Sequence, residues 1–155
     1  MRRRALAFVV VVPCLVGAAF AADWPMWRCD ANRSGASAEA LPETLHLRWV
    51  RKLPPPRPAW PNEPRLHFDA SHEPVVLGKT LFLGSAQDST LAAYSTETGE
   101  RLWSFLANGP VRLAPVARSG RICFGSDDGL LYCLDATNGA LRWKVDLGTG
   151  ELPFG

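Results

Sequence analysis

The chain has 155 residues with 17 Lys or Arg against 15 Asp or Glu, which gives a formal net charge of +2. Three of the arginines are residues 2–4, and the rest of the chain carries 14 basic against 15 acidic side chains. This balance leaves no basic stripe for a nucleic-acid partner, and 13 Gly and 13 Pro between short apolar runs favour an all-β fold.

The first 21 residues have the pattern of a signal peptide. A basic head precedes an apolar stretch at 5–18, and Ala19 and Ala21 place small residues where a signal peptidase cuts. A retained anchor is the alternative, but this stretch is shorter than the roughly 20 residues of a bilayer span. Residues 1–21 therefore predict export to the periplasm or the extracellular space, and no membrane span after leader removal.

Residues 22–66 predict an N-terminal arm in which Trp24 and Trp27 fix the chain to the domain. Apolar residues alternate at 45–51, which predicts a short strand. Residues 53–64 hold too many prolines for a central strand. They are interpreted as a stiff, polyproline-like surface connection, and a docking site for an SH3-like partner is the alternative.

From residue 67 to residue 155 the chain repeats itself. Pro74 and Pro115 are 41 residues apart, and Trp103 and Trp143 are 40 apart. A period near 40 in β sequence is typical of propeller blades. The four strands of each repeat are expected at 71–77, 80–83, 90–94 and 101–106, and at 111–117, 121–124, 130–134 and 141–147.

The end of each repeat carries a recurring motif. Its two copies are Ala93-Tyr94-Ser95-Thr96-Glu97-Thr98-Gly99-Glu100-Arg101-Leu102-Trp103 and Cys133-Leu134-Asp135-Ala136-Thr137-Asn138-Gly139-Ala140-Leu141-Arg142-Trp143. Both resemble the tryptophan-docking motif of the PQQ-like (quinoprotein-type) β-propeller family, Ala-x-Asp-x-x-Thr-Gly-x-x-x-Trp. The copies depart from it at Ser95, Cys133 and Asn138.

Each position of the motif has a physical reason. Gly99 and Gly139 permit a left-handed turn residue, and Asp135 can cap that turn through its carboxylate. The indoles of Trp103 and Trp143 are large enough to bury extensive area between neighbouring blades.

The resemblance implies two four-stranded blades plus a closing strand of an incomplete PQQ-like β-propeller. The closing strand is assigned to 45–51 because Leu47-Arg48-Trp49 echoes residues 141–143. Rings need roughly four to eight blades. The chain is therefore expected to be the front part of a longer protein, and assembly of several copies is the alternative.

No catalytic, cofactor-binding or metal-binding residue is predicted. The Asp127-Asp128-Gly129 run is interpreted as a hairpin turn, because a calcium loop needs more oxygen ligands. His46, His67 and His72, even with Asp69 or Glu73, lack metal-ligand spacing and are expected on the surface or in blade packing.

Two cysteines of the second repeat are candidates for a disulfide. If Ser126 lies opposite Leu130 in the hairpin, then Cys123 lies opposite Cys133 at a separation that a disulfide can span. A slip of one residue removes the match, and buried free cysteines are common small hydrophobic residues. Both readings stay open at this point.

The resemblance favours a non-enzymatic scaffold or interaction module with a protein partner and no cofactor in this chain. The alternative is the N-terminal part of a PQQ-dependent dehydrogenase, which would bind PQQ with calcium. A carbohydrate- or peptide-binding propeller is a third reading, based on fold analogy alone.

Overall fold

The computed structural model describes residues 22–66, 69 and 71–148. The predicted signal peptide and His67 lie outside these residues. A short 3₁₀ turn at Pro64–Leu66 precedes eight strands. They are β1 (Val75–Leu77), β2 (Thr80–Ser85), β3 (Thr90–Ser95), β4 (Arg101–Leu106), β5 (Val116–Arg118), β6 (Arg121–Gly125), β7 (Leu130–Asp135) and β8 (Leu141–Asp146).

The strands form two separate antiparallel sheets in which each strand pairs with its neighbour along the chain. The first blade has the order β1-β2-β3-β4 and the second blade the order β5-β6-β7-β8. The prediction of an all-β chain with two four-stranded blades is confirmed. Within the described residues, no helix is long and apolar enough to cross a bilayer.

The innermost strands, β1 and β5, begin later than predicted. They start at Val75 and Val116, directly after Pro74 and Pro115. Proline has no N–H to donate to a ladder. The residues that precede each proline are therefore entry loops, although their apolar pattern predicted strands.

Residues 45–51 have no regular secondary structure. A strand requires a neighbour with which to exchange backbone hydrogen bonds, and no described strand pairs with this segment. The strand predicted at 45–51 is therefore not observed, and its closing role stays a prediction.

One apolar core lies between the two blades. Phe82 and Leu91 of the first blade pack in the same cluster as Ile122 and Leu134 of the second, and all four are almost fully buried. Phe105 of β4 reaches across, with its ring centroid 6.1 Å from that of Phe124 and 5.5 Å from that of Tyr132. The two sheets therefore share their core.

The N-terminal arm crosses the inner edges of both blades. Trp24 exchanges two backbone hydrogen bonds of 2.9 and 2.8 Å with Val76 of β1, and the Pro25 carbonyl accepts one of 2.7 Å from Ala117 of β5. On the far face of the first blade, Leu53 of the arm packs against a cluster that includes Tyr94. The arm thus covers edges and faces that the blades alone leave open.

Candidate functional site

A joint between the blades is formed by Trp103 of β4 and Gly139 of the β7–β8 turn. The indole Nε1 donates a hydrogen bond of 3.2 Å to the Ala136 carbonyl. Gly139 has φ +73°, and a Cβ at this position would lie 2.6 Å from Cε3 of the indole. Both the backbone conformation and the lack of space require glycine here.

The same joint recurs between the arm and the first blade. The Trp49 indole donates a hydrogen bond of 2.9 Å to the Thr96 carbonyl. It also lies against Gly99, where a Cβ would come within 2.7 Å of the ring. Next to it, Arg51 donates to the Gly99 carbonyl at 3.1 Å. Trp49 thus occupies the place on the first blade that Trp103 occupies on the second.

The turn that receives each tryptophan is capped by the motif's polar residue. In the second blade, Asp135 Oδ1 accepts a hydrogen bond of 2.8 Å from the Thr137 amide. Hydrogen bonds from Arg142 and from this amide lower the pKa of the Asp135 carboxyl. In the first blade, Ser95 Oγ accepts bonds of 3.2 Å from the amides of Glu97 and Thr98. The departure at Ser95 therefore preserves the cap.

Trp143 occupies on β8 the position that Trp103 occupies on β4. It is half-buried and lies opposite Cys133 in the β7–β8 ladder.

The β6–β7 hairpin holds its own acidic residues. Asp128 accepts hydrogen bonds from the Leu130 amide at 3.0 Å and from the Tyr132 hydroxyl. Burial opposes ionisation of Asp128, but the hydrogen bonds outweigh it, and the pKa of this carboxyl is lowered. The Asp127-Asp128-Gly129 run is thus a hairpin turn. Across the described ranges, no group of three or more His, Cys, Asp or Glu could hold a metal ion.

A charged cluster ties the proline-rich segment to the end of the sheets where the entry loops and the β6–β7 hairpin meet. Arg112 lies 2.9 Å from the buried carboxylate of Asp69 and 2.6 Å from that of Asp127. It also donates to the Arg57 carbonyl, while Asp69 accepts a bond of 2.8 Å from the Ala59 amide. No sequence motif signals this cluster, because its members come from four separate segments.

The two histidines that the structure describes differ in environment. His46 is exposed, whereas His72 is half-buried with Nε2 3.1 Å from the Pro54 carbonyl. Beside it, Glu73 accepts a hydrogen bond of 3.2 Å from the Ala114 amide. His72 and Glu73 therefore hold loop backbone at this end of the sheets.

The β6–β7 ladder pairs Cys123 with Cys133. Both thiols are free in the structure, as is that of Cys29. Burial and the neighbouring Cys133 thiol raise the pKa of Cys123 to about 12.

Residues 26–35, the Trp27 loop, present an exposed indole beside the entry to β5. The Trp27 ring is 43% exposed, with the guanidinium carbons of Arg28 and Arg33 5.7 and 4.9 Å from its centroid. A groove of about 510 Å³ runs past this ring along Leu113 and Val116. Sequence reasoning treated Trp27 only as an anchor for the arm.

Backbone conformation sets the Trp27 loop apart. Arg28, Cys29 and Arg33 have φ values of 58°, 78° and 57°, a left-handed conformation that non-glycine residues adopt rarely. Asp30 stabilises the loop by accepting bonds of 3.0 and 2.7 Å from the amide and hydroxyl of Ser34. These bonds lower the pKa of Asp30. The surroundings thus hold three costly conformations in place.

A family model described as the outer membrane protein assembly factor BamB matches residues 25–154, which is most of the chain. This chain belongs to that family of PQQ-like repeats. No curated protein matches the sequence significantly.

Several solved structures resemble this chain in fold. The quinohemoprotein alcohol dehydrogenase of Comamonas testosteroni aligns with 84% of this chain at 24% identity and a TM-score of 0.62. BamB of Moraxella catarrhalis aligns with 50% of this chain at 18% identity and a TM-score of 0.42. The aligned parts cover 20% and 25% of those proteins, so the chain spans at most a quarter of their length.

Whether PQQ with calcium fits these repeats depends on oxygen ligands, because Ca²⁺ takes six to eight of them. Arg112 engages one carboxylate oxygen of Asp69 and one of Asp127, and the β6–β7 hairpin engages Asp128, whereas the buried Oδ1 of Asp69 has no hydrogen-bond partner among the described residues. These three acids therefore do not fit the ligand set of such a calcium ion.

Proposed function

We propose that this chain is a non-enzymatic interaction module of an exported PQQ-like propeller and that its Trp27 loop contacts a protein partner. The observation that carries the proposal is the exposed Trp27 ring between Arg28 and Arg33, held by a loop with three left-handed residues. Tryptophan and arginine dominate the binding energy of protein interfaces. Strained backbone that its surroundings maintain is concentrated at functional positions.

The groove beside the loop supports an apolar contact with a partner protein. Leu113 and Val116 are 56% and 42% exposed along its wall, and Asp30 and Glu73 add acidic groups at its rim. An apolar centre with charged residues around it is the usual composition of a protein interface. The family of the chain, which is described by the name of an assembly factor, agrees with this role.

The contact of the Trp49 indole with Gly99 supports the proposal that residues 45–51 act as the outer strand of a further blade. The indole lies on Gly99 as Trp103 lies on Gly139, while Leu45 and Leu47 are exposed. Leu141, which holds the place of Leu47 in β8, is itself 47% exposed within a paired sheet, so the contact between Trp49 and Gly99 carries this assignment. In this arrangement the arm closes a ring of blades, which leaves the Trp27 loop at its inner edge.

The experiment compares Trp27→Ala with Leu106→Ala, which removes an exposed apolar side chain of β4. Partners of the tagged full chain are captured in the source cell after chemical crosslinking with the same reagent, and each is quantified for both variants. We expect Trp27→Ala to reduce binding of one protein by about tenfold or more, the scale of an interface hot spot. Leu106→Ala should retain it, and both variants should melt like the unmodified chain.

Equal capture by both variants would overturn the role of the Trp27 loop. The alternative function, part of a PQQ-dependent dehydrogenase, is tested by titrating the complete protein with PQQ and Ca²⁺. We expect no reduction of an artificial electron acceptor by an alcohol or a sugar. Substrate-dependent reduction would replace the interaction module with an enzyme.

A further inference from the structure

Cys123 and Cys133 form a non-hydrogen-bonded pair of the β6–β7 ladder. The Ser126 amide donates to the Leu130 carbonyl at 3.1 Å, so residues 126 and 130 are a hydrogen-bonded pair. Hydrogen-bonded and open pairs alternate along an antiparallel ladder, and the register continues without interruption to Cys123 opposite Cys133. Open pairs have the closer Cα atoms, about 4.5 Å apart, which is within the range of a disulfide.

The pair differs in its access to solvent. Cys133 is fully buried and Cys123 is half-buried, and both line a pocket of about 240 Å³ between β5 and the β8 residue Trp143. Arg118 and Arg121 also line this pocket, and both are exposed. A reagent that reaches Cys123 therefore passes two positive charges, which favours an anionic one.

We propose that Cys123 and Cys133 are a redox site that closes to a reversible cross-strand disulfide by exchange with a small anionic disulfide such as oxidised glutathione. The Trp27 loop contributes no residue to this site, although Val116 lines both the cysteine pocket and the groove beside the loop.

The exchange proceeds in two balanced steps. The Cys123 thiolate attacks one sulfur of the oxidant, which forms a mixed disulfide and releases one thiol. The Cys133 thiolate then attacks the Cys123 sulfur, which closes the protein disulfide and releases the second thiol. Two electrons and two protons pass from the protein to the oxidant, which becomes two reduced thiols. The same steps in reverse reopen the site.

Reversibility follows from the position of the pair within one hairpin. A disulfide stabilises a fold mainly by closing a loop in the unfolded chain, and the gain is smallest for a short loop. Only the β6–β7 hairpin separates the two cysteines. The short loop keeps the gain at the low end of the range for disulfides, so an excess of reduced glutathione should reopen the bond by mass action.

The test incubates the full chain with oxidised glutathione and follows its mass, the linked peptides after proteolysis, and the rate. We expect loss of two hydrogens, a Cys123–Cys133 linked peptide, and return to the dithiol with reduced glutathione. The same link should form in Cys29→Ser. Because the pKa of Cys123 is about 12, the rate should rise about tenfold per pH unit below that value.

Single-cysteine variants resolve the order of the steps. Cys133→Ser should stop at one glutathione on Cys123, while Cys123→Ser should leave the buried Cys133 unmodified. Arg121→Gln should slow the reaction with oxidised glutathione more than with uncharged 2-hydroxyethyl disulfide. Absence of the link, a link through Cys29 instead, or an equal rate in the urea-unfolded chain would overturn the proposal.

Discussion

At the scale of single residues, the tightest constraint in the described chain falls on Gly139. Its φ of +73° disfavours any L side chain, and the Trp103 indole occupies the space that a Cβ would need. The two causes are separable, because Gly120 in the β5–β6 turn has nearly the same φ, +72°, with no atom within 4 Å of a Cβ. Gly120 therefore serves as a matched control for Gly139.

Replacing Gly139 by Ala should destabilise the chain by about 2–4 kcal/mol, through left-handed strain and overpacking against Trp103 together. Gly120→Ala should lower the free energy of unfolding only by the left-handed backbone strain, which is about 1 kcal/mol. Denaturant unfolding of both variants measures the difference. Equal losses for the two variants would mean that the contact between Trp103 and Gly139 does not constrain the fold.

The blade joints contain residues of a motif that the sequence reveals, whereas nothing in the sequence signals the charged cluster. Gly99, Gly139 and Trp103 belong to a motif that recurs at a fixed spacing, so a single sequence reveals them. Arg112 and Asp69 have no counterpart at the equivalent position of the other repeat, and their ion pair depends on the path of the proline-rich segment. Contacts between segments that do not repeat leave no periodic trace in a sequence.

At the scale of elements, the strands follow the sequence pattern where a neighbouring strand is present and depart from it where one is not. The hairpins β2–β3 and β6–β7 lie close to their predicted positions because turn residues flank each pair. Residues 45–51 have the alternation of a strand but no described strand beside them. Local pattern therefore predicts a strand, and pairing decides whether it forms.

The β6–β7 hairpin should contribute a pH-dependent part of the stability through Asp128. Hydrogen bonds from Tyr132 and Leu130 lower the pKa of this carboxyl in the folded chain. The resulting stabilisation is present above the unfolded pKa of about 3.9 and is lost as the pH falls through the folded pKa. Asp128→Asn keeps an acceptor oxygen but removes the charge.

Melting temperatures of the unmodified chain and Asp128→Asn should therefore differ at neutral pH and converge as the pH falls below about 4. Tyr132→Phe removes one donor to the Asp128 carboxylate. It should reduce the pH-dependent part of the stability without abolishing it. A difference between the chain and Asp128→Asn that stays constant across this range would show that the charge of Asp128 does not stabilise the fold.

At the scale of the whole molecule, the two blades form one unit. Trp103 of the first blade lies on Gly139 of the second, and Phe105 contacts the aromatic pair of the second blade. Stacked repeats do not bury their cores alone and depend on contacts with their neighbours. The Trp27 loop and the arm add a further layer along the inner edge, where the chain is proposed to meet its partner.

Native-state hydrogen exchange across β3 and β7 tests the central claim, that the Trp103 joint unites the blades. We predict that the slowest amides of both strands open with one common free energy. Trp103→Ala should lower that value in both strands together by about 3–5 kcal/mol, as for truncation of a large packed side chain. Different free energies in the two strands, with the variant affecting only one of them, would contradict the account.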